Sequence, residues 1–183
     1  LADIFFDFQP VWGDADLAHQ LRKAVTEMVR QNQGFLGEMY RDKADHNVAL
    51  GVFGGFVTER DQKEYRGQVN LKYTGTIPLV EAIRLLALRE GIEETSTLGR
   101  IRALHAQSVL GANERDDLSA AFALITDILL RKQIFDYRAG RRVGYFIDPD
   151  VLSRRQRSAL LDSLKAIDQL RKRVHMEFTA HIF

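Results

Sequence analysis

Residues 153–178, SRRQRSALLDSLKAIDQLRKRVHMEF, carry the pattern that decides the fold. Leu160, Leu164, Ile167, Leu170, Val174 and Phe178 recur at spacings of three and four, which puts them on one face of a helix many turns long. Ser153 stands just before the run, where a hydroxyl can accept from the free N–H groups of a first helical turn. Asp148-Pro149-Asp150 upstream marks a fresh start after the preceding element.

Working back along the chain, the same spacing returns. Leu118, Phe122, Ile125 and Leu129 line a second long helix that starts near Asn113, a good cap, and ends near Gly140. Leu98, Ile101 and Leu104 follow Thr95, Ser96 or Thr97 as cap. Leu79, Val80, Ile83 and Leu86 follow Pro78, which suits a first turn, and Gly91 is a natural stop. Nearer the start, Leu17, Leu21, Val25 and Met28 sit at helical spacing behind Asp14 or Asp16, and residues 35–49 read as weakly patterned helix. Each apolar stripe needs another to bury it, so several such helices on short loops imply a bundle.

Two stretches break the pattern. Residues 3–8, DIFFDF, alternate and read as a short N-terminal strand. Val69, Leu71 and Tyr73 alternate with polar residues and could pair with Phe56-Val57 as a small hairpin near residues 56–73, around a polar loop from Glu59 to Gly67. The expected fold is therefore mainly α, a bundle of about five to seven helices with that strand and hairpin.

Composition narrows the function classes. The chain has 183 residues, 45% of them hydrophobic and 28% charged, an ordinary globular balance. It has no cysteine, which excludes disulfides and thiolate metal sites and fits a reducing, cytoplasmic setting. No apolar run is long enough to span a membrane, and no signal peptide is visible. The chain opens on Leu1 and reads as a piece of a longer protein. Net charge is +1 but uneven: from Arg131 onward, twelve Lys/Arg face six Asp/Glu. A basic end can attract phosphates or an acidic partner, or can simply be a solvated helix face.

Catalytic motifs are sparse. His19, His46, His105, His175 and His181 are scattered without metal-ligand spacing. Gly51 to Gly55 lacks the Lys-Ser/Thr of a phosphate loop and reads as a tight turn. There is no Gly-x-Ser-x-Gly elbow. Arg154, Arg155, Arg157, Arg171, Lys172 and Arg173 form a basic series on the last helix, but without interleaved aromatic residues nucleic-acid binding is not expected. Asp3 and Asp7 would share one face of a strand, where two carboxylates could hold a divalent cation; a half-exposed edge strand would read the same way.

Several segments taken in order carry a family resemblance. Residues 70–88, NLKYTGTIPLVEAIRLLAL, resemble the nucleotidyltransferase substrate-binding domain that follows a DUF294-type nucleotidyltransferase domain in bacterial signalling proteins, often behind cyclic-nucleotide-binding and CBS modules. Residues 91–100, GIEETSTLGR, then Arg131-Lys-Gln133, and Ile147-Asp-Pro149 before Leu152-Ser153 are similar to later family segments. The resemblance covers roughly residues 50 to 175. Residues 4–14 look like the tail of the preceding catalytic domain, with Gln9 where the family has an Arg. Tyr145 and Phe146 stand where it has an Asn.

The resemblance implies two parts, a tail of the upstream domain over 1–13 and a helical substrate-binding domain over 14–183. It implies that this chain alone is inactive, holds no cofactor, and orients an acceptor substrate or partner protein, an acidic one included, for a catalytic domain using Mg and a nucleoside triphosphate. Asp7 would be a third carboxylate of that upstream metal site. Lys72, Arg84, Arg100, Arg131 and Gln133 would form the substrate or anion surface. The alternative is a protein-interaction or homodimerisation bundle with no small-molecule site, which would need a broad exposed apolar face.

Overall fold

A computed structural model describes residues 5–41 and 47–179. The chain is mainly helical, at 67%. The described residues hold six α-helices: α1 Ala15–Arg30, α2 Gln33–Arg41, α3 Ile77–Arg89, α4 Thr97–Ala106, α5 Ala112–Arg138 and α6 Arg154–Thr179. The described residues also hold a two-stranded antiparallel sheet, β1 Val69–Asn70 and β2 Phe146–Ile147. No helix among the described residues is long and apolar enough to cross a membrane.

The chain divides into two compact units. One takes the described residues of 1–45, 81–115 and 174–183; the other takes those of 46–80 and 116–173. In the first unit the buried residues include Leu36, Ile83, Leu86, Ile101, Leu104, Val174 and Phe178. In the second they include Leu71, Leu79, Leu118, Ile125, Leu160, Leu164, Ile167 and Leu170. All six positions of the α6 stripe are buried, as the periodicity requires.

Helix ends follow local chemistry. Asp14 caps α1 by accepting from Asp16 N at 2.9 Å. Ser96 caps α4 by accepting from Gly99 N at 3.1 Å. Ser153 and Gln156 form a reciprocal box at the start of α6: Gln156 N donates to Ser153 Oγ (3.3 Å), and Ser153 N donates to Gln156 Oε1 (3.0 Å). Asn113 is not a cap. Helix α5 begins one residue earlier, and Glu114 accepts from Gly111 N at 2.9 Å, closing the turn from inside the helix.

Three expectations are corrected. Phe5 to Phe8 form a turn, with Phe8 N donating to Phe5 O, rather than a strand. Buried Phe6 draws the chain inward where an extended segment would pass over the surface. Asp3 lies outside the described residues, as do positions 42–46 of the weakly patterned helix.

Second, Val69–Asn70 pairs with Phe146–Ile147 and not with Phe56-Val57. The loop from Glu59 is still closed on itself, because Glu59 N donates to Gln68 O and Gly67 N to Glu59 O. Phe56 bridges back to Leu50 instead, across the tight Gly51–Gly55 turn.

Third, the extended reading stops at Asn70. Lys72–Thr76 is one turn of π-helix leading into α3. Asn70 triggers it: its side chain accepts from Tyr73 N and its carbonyl accepts from Thr74 Oγ at 2.7 Å. Gly75 packs closely inside this turn: a Cβ there would stand 3.3 Å from the Ile125 Cδ1 methyl, which would have to shift by a few tenths of an ångström, and 3.8 Å from Leu164.

Helix α1 also presents an unexpected face. Leu17, Leu21 and Met28 are 64%, 48% and 71% exposed, while Thr26 and Val29 turn inward. Val11 and Trp12 ahead of it are almost wholly exposed, at 99% and 97%.

Candidate functional site

In the first unit, three of the residues singled out from the sequence meet. Arg84 Nη2 donates to Asp7 Oδ2 at 2.6 Å, and Arg100 Nη2 donates to Asp7 Oδ1 at 2.5 Å. Helix α3 supplies the first guanidinium and α4 the second. Arg84 and Arg100 are buried, while Asp7 keeps some exposure. Burial pulls the Arg100 guanidinium below the ordinary arginine range; the Asp7 carboxylate beside it opposes that shift.

The neighbouring contacts fasten the same segment. Arg22 Nη1 donates to Phe6 O at 2.9 Å, and its guanidinium lies over the Phe8 ring. Gln9, at the family's arginine position, donates to Thr95 Oγ1 at 2.9 Å. Both Asp7 oxygens thus accept from positive groups, and Arg22 adds a third positive charge nearby. A divalent cation would meet repulsion here, so Asp7 in this arrangement does not fit a metal ligand. Among the described residues no group of three His, Asp or Glu side chains could hold a metal. What the arrangement does is tie residues 5–9 to α1, α3 and α4.

The second unit holds a cleft of about 880 Å³. Its apolar surface comes from Ile128, Phe135, Phe146, Ile147 and Leu152, and Tyr65 stacks parallel on Phe146 with ring centroids 4.0 Å apart. Cations line it as well: Arg131, Lys132, Arg141 and Arg142, against the acidic Glu64, Asp136 and Asp148. The volume falls in the range of small-molecule and peptide sites, about 300–1,000 Å³.

Asp136 organises the basic side of this cleft. It is almost fully buried, at 1% exposure, near the C-terminal end of α5. Lys132 Nζ, one turn earlier, donates to Oδ2. Arg141 donates to Oδ1 through Nε and Nη2, both at 3.2 Å, after the chain reverses at Gly140, whose φ is +64°. Burial alone would raise the Asp136 carboxyl, but the bonds from Lys132 and Arg141 outweigh it and hold the group below its ordinary value of 3.8. The Arg141 guanidinium also lies 4.4 Å over the Phe135 ring. One edge and one face of that guanidinium are therefore fixed before any ligand arrives. Arg142 is exposed and has no ion-pair partner among the described residues.

The remaining expected residues lie in this second unit. Arg131 lines the cleft, where its Nε bonds both oxygens of Asp127, at 2.9 and 2.7 Å. Lys72 does not line it; its ammonium sits 4.3 Å over the Tyr145 ring and 5.8 Å from that of Tyr73. Gln133 is half-buried on α5 and does not line the cleft either.

Sequence reasoning missed Tyr65, Phe146, Lys132, Asp136, Arg141 and Arg142. One signal was available. Asp136 stands eleven residues after Ile125, three helical turns along the buried line of α5, where a carboxylate needs partners.

No curated protein and no solved structure is matched by this chain. A family model described as "Putative nucleotidyltransferase substrate binding domain" matches residues 33–178. That match covers most of the chain, which belongs to this family of nucleotidyltransferase substrate-binding domains.

Proposed function

We propose that this chain is an accessory domain that holds the acceptor, a small molecule or an acidic partner protein, for nucleotidyl transfer by a separate catalytic domain. The observation that carries the reading is the cleft of the second unit, with its apolar floor and a basic side fixed in advance by buried Asp136. Such a cleft binds and orients; the described residues around it offer no activated nucleophile. The family description supports association with a nucleotidyltransferase domain; in this reading that domain lies ahead of this one in the same polypeptide. Mg and the nucleoside triphosphate belong to that partner.

The test is transfer of label from a nucleoside triphosphate to an acidic protein acceptor by the joined polypeptide. Replacing Arg131 and Arg142 together with alanine should raise KM for the acceptor about tenfold and leave KM for the triphosphate unchanged. An unchanged acceptor KM would overturn the reading.

A second reading, a dimerisation module, is favoured by the exposed stripe Leu17, Leu21 and Met28 on α1. It expects a concentration-dependent dimer in sedimentation that Leu21→Glu abolishes. A monomer at all concentrations removes it.

A further inference from the structure

The cleft of the second unit has a feature that small-molecule sites do not need. Strand β2 contributes Phe146 and Ile147 to its lining. Leu71 N donates to Tyr145 O at 3.1 Å, and Val69 and Asn70 face Ile147 and Phe146 in the register. Bonded and non-bonded pairs alternate along an antiparallel ladder. Leu71 with Tyr145 and Val69 with Ile147 are then the bonded pairs, and Asn70 with Phe146 is not. The N–H and C=O of Phe146 therefore point away from β1, and neither has a hydrogen-bond partner among the described residues. A strand edge is open beside an apolar floor.

The charges beside that edge choose the occupant. Lys132 and Arg141 share a single carboxylate, so the trio with Asp136 keeps a net positive charge. Arg142 adds another with no ion-pair partner among the described residues. Of the lining acids, Asp136 is buried and bonded, Asp148 accepts from Asp150 N at 2.9 Å, and Glu64 is exposed; these three stand against four cations, Arg131, Lys132, Arg141 and Arg142, so the lining keeps a balance of one positive charge.

We propose that an extended acidic peptide segment of a protein acceptor adds to the free edge of β2. Its backbone would bond the N–H and C=O of Phe146. One apolar side chain would enter the cleft beside Tyr65 and Phe146, and flanking carboxylates would meet Arg141 and Arg142. Main-chain bonds supply affinity in this mode and side-chain pockets supply selectivity. The proposal rests on the acceptor-binding reading and names its substrate class.

The test is fluorescence anisotropy of the whole chain with a labelled octapeptide of Glu and Asp around a central Phe, against the same peptide with Lys at every acidic position. The acidic peptide should bind at least tenfold more tightly, and Arg142→Glu, on an exposed side chain, should weaken it at least tenfold. Phe146→Ala and Phe146→Pro both remove the ring, but only proline removes the outward N–H. That N–H is not used in pairing with β1, so proline is tolerated there. Phe146→Pro should bind at least threefold more weakly than Phe146→Ala, with both folded by circular dichroism.

Equal binding of the two peptides, or no loss in Arg142→Glu, overturns the proposal, and so does equality of the two Phe146 variants. Failure here is distinct from failure of the acceptor reading. If the Arg131/Arg142 pair raises acceptor KM and no acidic peptide binds, the reading stands and the peptide class is wrong. If the peptide binds as described and transfer ignores the cleft, the site stands and the reading is wrong.

Discussion

Asp7→Ala should cost the chain about 3 kcal/mol of folding stability, measured as a lower midpoint in urea unfolding followed by far-UV circular dichroism. Removing one partner of a buried ion pair costs about 3–5 kcal/mol because the other charge stays buried without compensation. Here the stranded group is Arg100, 2% exposed, whose Nε already lacks an acceptor among the described residues. Water reaches Asp7 itself, whose side chain is 27% exposed, so the lower end of that range applies. The loss should fall partly on Asp7→Asn, which keeps the shape and removes the charge. Adding Arg100→Leu to Asp7→Ala should restore part of the stability, since an apolar side chain of similar volume has no charge to strand. A cost below about 1 kcal/mol for Asp7→Ala would show that residues 5–9 are held by Arg22, Gln9 and Phe6 without the carboxylate.

The second large effect belongs to Asp136. Asp136→Ala should cost about 2 kcal/mol, less than Asp7, because Lys132 and Arg141 are themselves partly exposed and keep some hydration. The same carboxylate makes the second unit acid-sensitive. Its folded pKa lies below its ordinary value, so the stability it contributes is full above 3.8 and is lost as pH falls through the folded value. Unfolding curves of wild type and Asp136→Asn should therefore differ near neutrality and converge as the pH drops below that window. A constant gap down to the lowest pH would mean that Asp136 acts through packing and not through charge. The variant should also weaken acidic-peptide binding, because Arg141 would no longer be held at one edge.

Much of this was legible in the sequence, and the exceptions share a cause. The α6 stripe, the Asp14, Ser96 and Ser153 caps and the stops at Gly91 and Gly140 are local matters, written within a few residues of where they act. The partner of β1 is not local: Val69 finds Ile147, 78 residues on, and no alternation in either segment names the other. The side of α1 that is buried is not local either. Leu17, Leu21 and Met28 have the spacing of a core face, but spacing alone does not state whether anything covers it.

Among the site residues, Asp7, Arg84 and Arg100 were each visible as charged positions of interest. Their mutual pairing needs the tertiary fold, in which Asp7 accepts from both arginines. Lys132 and Arg141 stood on either side of Asp136 in plain view. What hid them is that the burial of Asp136 depends on the tertiary fold and not on its neighbours in sequence.

The placement of Trp12 has an optical consequence. It is the chain's one tryptophan and is 97% exposed. Its indole already emits from water in the folded protein, so unfolding leaves the colour of that emission nearly unchanged, and a flat fluorescence trace would be mistaken for a chain that never melts. The Tyr65–Phe146 stack, with its planes within 7° of parallel, is the natural chromophore instead. Its near-ultraviolet dichroism should respond when a ligand enters the cleft and vanish when the second unit opens.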